Sequence, residues 1–216
     1  MSLTALPSGM QPAYHPSGQI RSTAHQGLLV AGTNVNIFKN QPVKLVLGTG
    51  GAVNGVTVPA GQVVLAPITA ITDPIFGVFA GCEYFDVLGK PTESDYWPAS
   101  QAVMANTFVT AFIWEDPAIV YTIQTDGSIA IGSPAGTPVA ALEGRNGDIS
   151  NFAAGSTTTG LSQCTFSSTL RATGVQGQLR IMKFDPTVLN QAYNDTYVQI
   201  HVQIARSQLA NAVSLL

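Results

Sequence analysis

The chain has 216 residues, with 9 Lys and Arg against 12 Asp and Glu, a formal net charge of −3 and a pI near 5.4. Charged residues make up 10% of it, against about 25% in an average soluble protein, while apolar residues reach 45% and mean hydropathy is +0.24. The absence of any Lys/Arg cluster argues against a nucleic-acid partner, and no apolar run approaches the roughly 20 residues that cross a bilayer, so no membrane association is expected.

Residues 1 to 27 contain Pro7, Pro12, Pro16, Gly9, Gly18 and Gly27 without periodicity, and are expected to form an extended N-terminal arm. The arm is read either as a loose tail or as a segment that orders on a partner, with Tyr14, His15 and Arg21 as candidate contacts. On that reading, removal of residues 1 to 25 leaves the fold intact. No basic start followed by an apolar stretch marks a signal peptide, so synthesis in a cytoplasm is expected.

Residues 28 to 216 are expected to form a single β-rich domain. Strands are predicted from Leu28 to Phe38 and from Val43 to Leu47, broken at Lys39-Asn-Gln-Pro42. Gly48-Thr-Gly-Gly-Ala-Val-Asn-Gly55 superficially suggests a dinucleotide loop. Val53 replaces its third glycine and a strand pattern follows where a helix is required, so a turn or loop is expected. Two further β-rich runs cover Gln62 to Thr72 and Pro74 to Asp86. The loop from Leu88 to Pro98 holds Tyr96 and Trp97, either an exposed aromatic contact or, for Trp97, a plug folded into a barrel end.

The strongest pattern lies at Phe108 to Gln124. In the first strand Phe108, Thr110, Phe112 and Trp114 alternate with Val109, Ala111 and Ile113, so both faces are apolar and burial on two sides is expected, with Trp114 in the core. Glu115-Asp116-Pro117 ends it, because proline donates no ladder hydrogen bond. The next strand alternates Ile119, Tyr121 and Ile123 with Val120, Thr122 and Gln124, and stops at Asp126-Gly127, a dipeptide suited to a type I′ hairpin turn.

A loop-rich insertion is read at about 132 to 160, with short strands near 139 to 142 and 149 to 152. Leu161 to Leu170 and Gln178 to Phe184 resume the β pattern, and Asp185 to Tyr193 is read as one short helical turn. The closing strand, Tyr197 to Ile204, is expected to turn Val198, Ile200, Val202 and Ile204 to the core. Ala205 to Leu216 is either a short amphipathic helix or an arm onto a neighbour, with Leu209 and Leu216 as candidate contacts.

The aromatic strand, the Glu-Asp-Pro corner, the Tyr121-Thr-Ile-Gln124 strand and the Asp-Gly turn resemble a group of tailed-phage capsid decoration, or cement, proteins. Gly155-Ser-Thr-Thr-Thr-Gly-Leu-Ser162, Leu179-Arg-Ile-Met-Lys-Phe184 and Tyr197-Val-Gln-Ile-His-Val-Gln-Ile204 agree with that pattern. The resemblance covers roughly the second half of the chain, and the N-terminal half carries no motif that aligns with it. It implies a virion protein on the outer capsid surface whose partners are the major capsid protein and other copies of itself, as a dimer or trimer.

Chemistry is sparsely represented. His15, His25 and His201 show no metal-ligand spacing, the Gly155 to Gly160 loop lacks the lysine of a phosphate loop, and no Gly-x-Ser-x-Gly elbow occurs. No cofactor, metal or catalytic residue is therefore expected. Cys164 shares a face with Phe166, which suits a reduced, buried thiol, and Asn194-Asp-Thr196 is a sequon without a secretory context. The sequence thus leads to an all-β fold, an antiparallel barrel or sandwich with an extended N-terminal arm and little helix, and to a structural role. The alternatives are a tail module that binds carbohydrate through Tyr96 and Trp97, and a glycan hydrolase using Glu93 and Asp95.

Overall fold

The computed structural model describes residues 5–29, 35–48, 51–53, 56–58, 63–129, 142–184 and 197–209. Among these there is no helix, and the strands in chain order are β1 (Gln11–Tyr14), β2 (Thr23–Leu29), β3 (Pro42–Leu47), β4 (Gly51–Val53), β5 (Val56–Val58), β6 (Val63–Pro67), β7 (Gly77–Phe85) and β8 (Pro91–Ser94). They continue with β9 (Val109–Trp114), β10 (Val120–Gln124), β11 (Asn146–Gly147), β12 (Ile149–Ser150), β13 (Thr165–Phe166), β14 (Leu179–Phe184) and β15 (Gln199–Ile204). One sheet has the order β1-β10-β15-β14-β11 and the other β2-β9-β7-β3-β6, with β8 paired to β7 and short ribbons β4-β5 and β12-β13 beside them. Every pairing between these strands is antiparallel, and the fold is all-β and sandwich-like.

Alternation decides which side chains go inward. β15 turns Ile200, Val202 and Ile204 to the core, and β10 presents Tyr121 and Ile123 to the same cluster. β14 begins in phase with Leu179 and Ile181. A bulge between Ile181 and Lys183 then adds one residue, so that Phe184 returns to the core where strict alternation would have turned it out. β7 uses the same device. Its bulge lies between Phe79 and Gly81, with Gly81 at φ 145°, so Phe79 points inward, then Cys82 and Tyr84, while Glu83 and Phe85 come to the surface.

Two apolar cores result. The first is built on β10, β14 and β15 and takes in Met10, Ile68, Ile75, Ile149 and Phe166. The second fills the curl of the β2-β9-β7-β3-β6 sheet, whose last strand returns alongside β2. β7 divides them, since Val78 belongs to the first and Phe79 to the second. β9 does likewise at its end: Ile113 lies in the second core and Trp114 packs, half-buried, against the first. The expected burial of that strand on two sides is thus met at its C-terminal end, between two cores.

Between the cores sits the turn Phe38 to Gln41, which was expected only as a strand break. Asn40 has φ 66° and is buried. Lys39 N–H donates to Gly160 O (3.0 Å), Asn40 N–H to Phe79 O (2.8 Å), and Met10 N–H to Asn40 O (2.9 Å). Ser162 N–H donates to Lys39 O (2.9 Å) and Phe79 N–H to Gln41 O (2.9 Å). The Gln41 side chain accepts from Phe38 N–H (2.8 Å) and donates to Phe152 O (2.8 Å). A second buried amide, Gln178, donates to Ala70 O and Asp73 O (3.0 Å each) and accepts from Ile149 N–H (3.1 Å), tying the loop after β6 to the first core.

Several expectations are corrected. The N-terminal segment is paired: β1 is an edge strand against β10, β2 an edge strand against β9, and Met10 is fully buried. Removing residues 1 to 25 would strip an edge from each sheet and a side chain from the first core, so the fold is not independent of it. Trp97 is 0% exposed, held by paired backbone hydrogen bonds with Ile37 and packed edge-on against Tyr84 (5.5 Å, 87°), while Trp114 is only half-buried. Asp126-Gly127 forms no hairpin. The Asp126 carboxylate instead accepts from Ser150 Oγ (2.8 Å) and Ser168 N–H (2.7 Å). The helical turn at 185 to 193, the sequon and most of the segment after 205 lie outside the described residues.

Trp97→Ala is expected to cost roughly 3–5 kcal/mol, the usual range for a buried aromatic, and Trp114→Ala clearly less; urea melts of the two variants check the order. A second expectation concerns acid. Burial pushes the Asp73 carboxyl up, but the Lys44 ammonium at 2.7 Å and the N–H groups of Thr69 and Ala70 outweigh it and hold its pKa below 3.8. That contribution is present above pH 3.8 and is lost as pH falls through the lower folded value. Asp73→Asn should therefore lower the urea midpoint at neutral pH, with the difference from the wild type closing in acid.

Candidate contact surfaces

Glu115-Asp116-Pro117 carries the chain from β9 in one sheet to β10 in the other. Because β2 runs against β9 and β1 against β10, the connection between β1 and β2 is laid across this corner. The corner is fixed locally by Asp116, whose Oδ1 accepts from Ala118 N–H (2.8 Å) and whose carbonyl accepts from Ile119 N–H (3.1 Å), an Asx-type turn. Two histidines face the two carboxylates: His25 Nε2 is 2.8 Å from Glu115 Oε2, and His15 Nε2 is 3.2 Å from Asp116 Oδ2. His15 Nδ1 accepts the backbone N–H of Ser17 (3.0 Å).

A cleft of about 440 Å³ opens here, lined by His15, Ser17, Gln19, Arg21, Glu115 and Leu209 among others. Three of the candidate contacts, His15, Arg21 and Leu209, thus converge on one cleft. Tyr14 stands exposed nearby, its ring edge-on to His201 at 5.8 Å. Tyr96 and Trp97 are elsewhere. The loop that carries them is pinned by the Lys39–Asp95 ion pair (2.8 Å) and by Ser94 Oγ donating to Tyr96 O (2.6 Å), so Trp97 turns inward and offers no contact surface. Tyr96 is half-buried and stacked on Phe38 (5.7 Å, 17°). Leu216 lies outside the described residues.

A second surface was not anticipated from the sequence. At the far end of β7 and β8 the exposed apolar side chains are Phe85, Val87 (63% exposed), Leu88 (90%), Met104 and Phe108 (56%). Their backbone is held in place. Asp86 Oδ1 accepts from Leu88 N–H and Lys90 N–H (2.9 Å each), Gly89 N–H donates to Asp86 O (2.9 Å) with Gly89 at φ 79°, and Met104 N–H donates to Phe85 O (2.9 Å). The signal was present: Val87 and Leu88 are aliphatic residues at the centre of an Asp-x-x-Gly turn, where nothing can cover them.

Groups with chemical potential are occupied otherwise. Cys164 is buried in the first core and Cys82 in the second, both as free thiols; burial pushes Cys82 up to about 12 and Cys164 to about 11. Asp95 is paired with Lys39, and Glu93 sits in register with Glu83 across the β7–β8 ladder. Among the described residues no group of three or more His, Cys, Asp and Glu is placed to hold a metal ion. Comparisons with protein-family models, with curated proteins and with solved structures return no match.

Thiols so placed are almost wholly protonated at pH 8 and screened from reagents. Iodoacetamide at that pH should leave both cysteines unmodified in the native protein and alkylate both after unfolding, as read by intact mass.

Proposed function

We propose that the chain is a structural virion protein, a decoration or cement protein that binds the outer surface of an icosahedral phage head and stabilises contacts between neighbouring major capsid subunits. The observation that carries this reading is the apolar end of β7 and β8: large aliphatic and aromatic side chains displayed on a turn whose backbone hydrogen bonds are already made. A free monomer gains nothing from exposing Leu88, whereas a subunit seated against a partner buries it without first ordering the loop. The low charge content agrees, because apolar and amide-rich surfaces suit permanent contact better than free solution. The resemblance of the second half of the chain to capsid cement proteins supplies the partner. The carbohydrate-binding alternative is weakened, since Trp97, its aromatic platform, is buried.

A protein that binds only the assembled shell stabilises it by its binding free energy at each equivalent site. Cryo-electron microscopy of purified particles should find the chain in many symmetry-related copies on the head; its confinement to the tail would overturn the reading. Exposed ion pairs contribute only about 0–1 kcal/mol each, and at 1 M salt the screening length is about 3 Å, so particles washed in about 1 M NaCl should retain the protein.

A further inference from the structure

We infer that the outer face of β7 and β8 docks on a partner surface that combines an apolar hollow with Lys or Arg side chains. This rests on the decoration reading and specifies which face meets the shell and what chemistry it meets.

The bulge at Gly81 brings Glu83 and Phe85 to the same outer face. The register sets Phe85 opposite Pro91 and Glu83 opposite Glu93 on one side, and Glu83 opposite Thr110 on the other. Phe108 immediately precedes β9 at this same end, with the parity of Thr110. The face therefore reads as an apolar rung followed by a rung with two carboxylates directly across from each other. Like charges in that position destabilise a sheet. Neither glutamate has a cationic partner among the described residues: Lys39 is paired with Asp95, and Lys90 has the parity of Thr92, on the other side of β8.

Next to these carboxylates lies a groove of about 390 Å³ lined by Gly81, Glu93, Asp95 and Phe112. Gly81 forms it by having no side chain; a Cβ there would lie 3.0 Å from Ser94 O. Carboxylates beside an aromatic wall suit a guanidinium or ammonium group, while Phe85, Phe108 and Leu88 suit apolar side chains. Charge also decides between occupants. A second copy applied face to face would bring four glutamates together, so the surface fits a different partner of opposite sign.

The test uses shells assembled without the chain and measures binding rates of the purified protein. Charge reversal in E83K/E93K should slow association about tenfold or more at low salt, and E83Q/E93Q should abolish the salt dependence of the association rate. L88S/F108S should speed dissociation about tenfold with association unchanged, because apolar contacts govern residence. Near-ultraviolet circular dichroism establishes that each variant is folded. Separately, E93Q should raise the melting temperature of the free protein by removing the repulsion, a readout that needs no partner. Unchanged rates in the variants, faster binding of E83K/E93K, or a dimer that L88S/F108S dissolves would each overturn the inference. An unchanged melting temperature of E93Q would remove the uncompensated charge on which the partner's sign depends. Wild-type protein that binds no shell would instead overturn the decoration reading, and this inference with it.

Discussion

The structure depends on one buried backbone turn. From Phe38 to Gln41 the chain passes between two apolar cores, where an unmet N–H or C=O would cost about 1–3 kcal/mol. Each backbone N–H and C=O in that stretch has a partner, and the partners come from Met10, Phe79, Gly160 and Ser162 as well as from the turn itself. Asn40 adopts the left-handed conformation that lets its carbonyl reach Met10, and Gly9 leaves the room: a Cβ on Gly9 would lie 2.4 Å from Asn40 O. The two cores are therefore joined by a set of directional bonds that only one relative arrangement satisfies.

The same logic explains what was legible in the sequence. Strands whose alternation runs unbroken, such as β9, β10 and β15, could be located, and β15 could also be placed with its inward face, because period two is the only information that needs. The Asp116 corner was legible because proline and an Asx-type acceptor act locally. What was lost depended on other segments. The bulges in β7 and β14 reverse parity midway, so strict alternation would put Phe85 and Glu83 on the inward side with Phe79, whereas both face outward. Of the two readings open for Trp97 the buried one holds, and the sequence alone could not choose it because the contacts that hold it come from Ile37 and Lys39. The N-terminal residues lack strand propensity and pair only because β9 and β10 present open edges to them. Of the candidate contacts, His15, Arg21 and Leu209 do share a cleft, but nothing local connects residue 21 with residue 209.

Edge protection follows from the same residues. β1 closes one side of its sheet and carries Pro12, which has no N–H to offer a further strand. The curl of the other sheet brings β6 back alongside β2. An edge closed in this way disfavours the addition of strands from copy to copy.

The position of β15 also dictates when the molecule can become whole. It is the last described strand in the chain, yet it lies in the interior of its sheet, between β10 and β14. While the chain is still emerging from the ribosome, β10 and β14 have no common neighbour, and the first core lacks Ile200, Val202 and Ile204. β1 and β2, made first, wait for partners about eighty or more positions downstream. Such long-range pairing is slow, on the scale of milliseconds to seconds for all-β domains. The first sheet is thus completed only once residues 199 to 204 are available, and a product that stops before residue 199 has an open sheet and an exposed core.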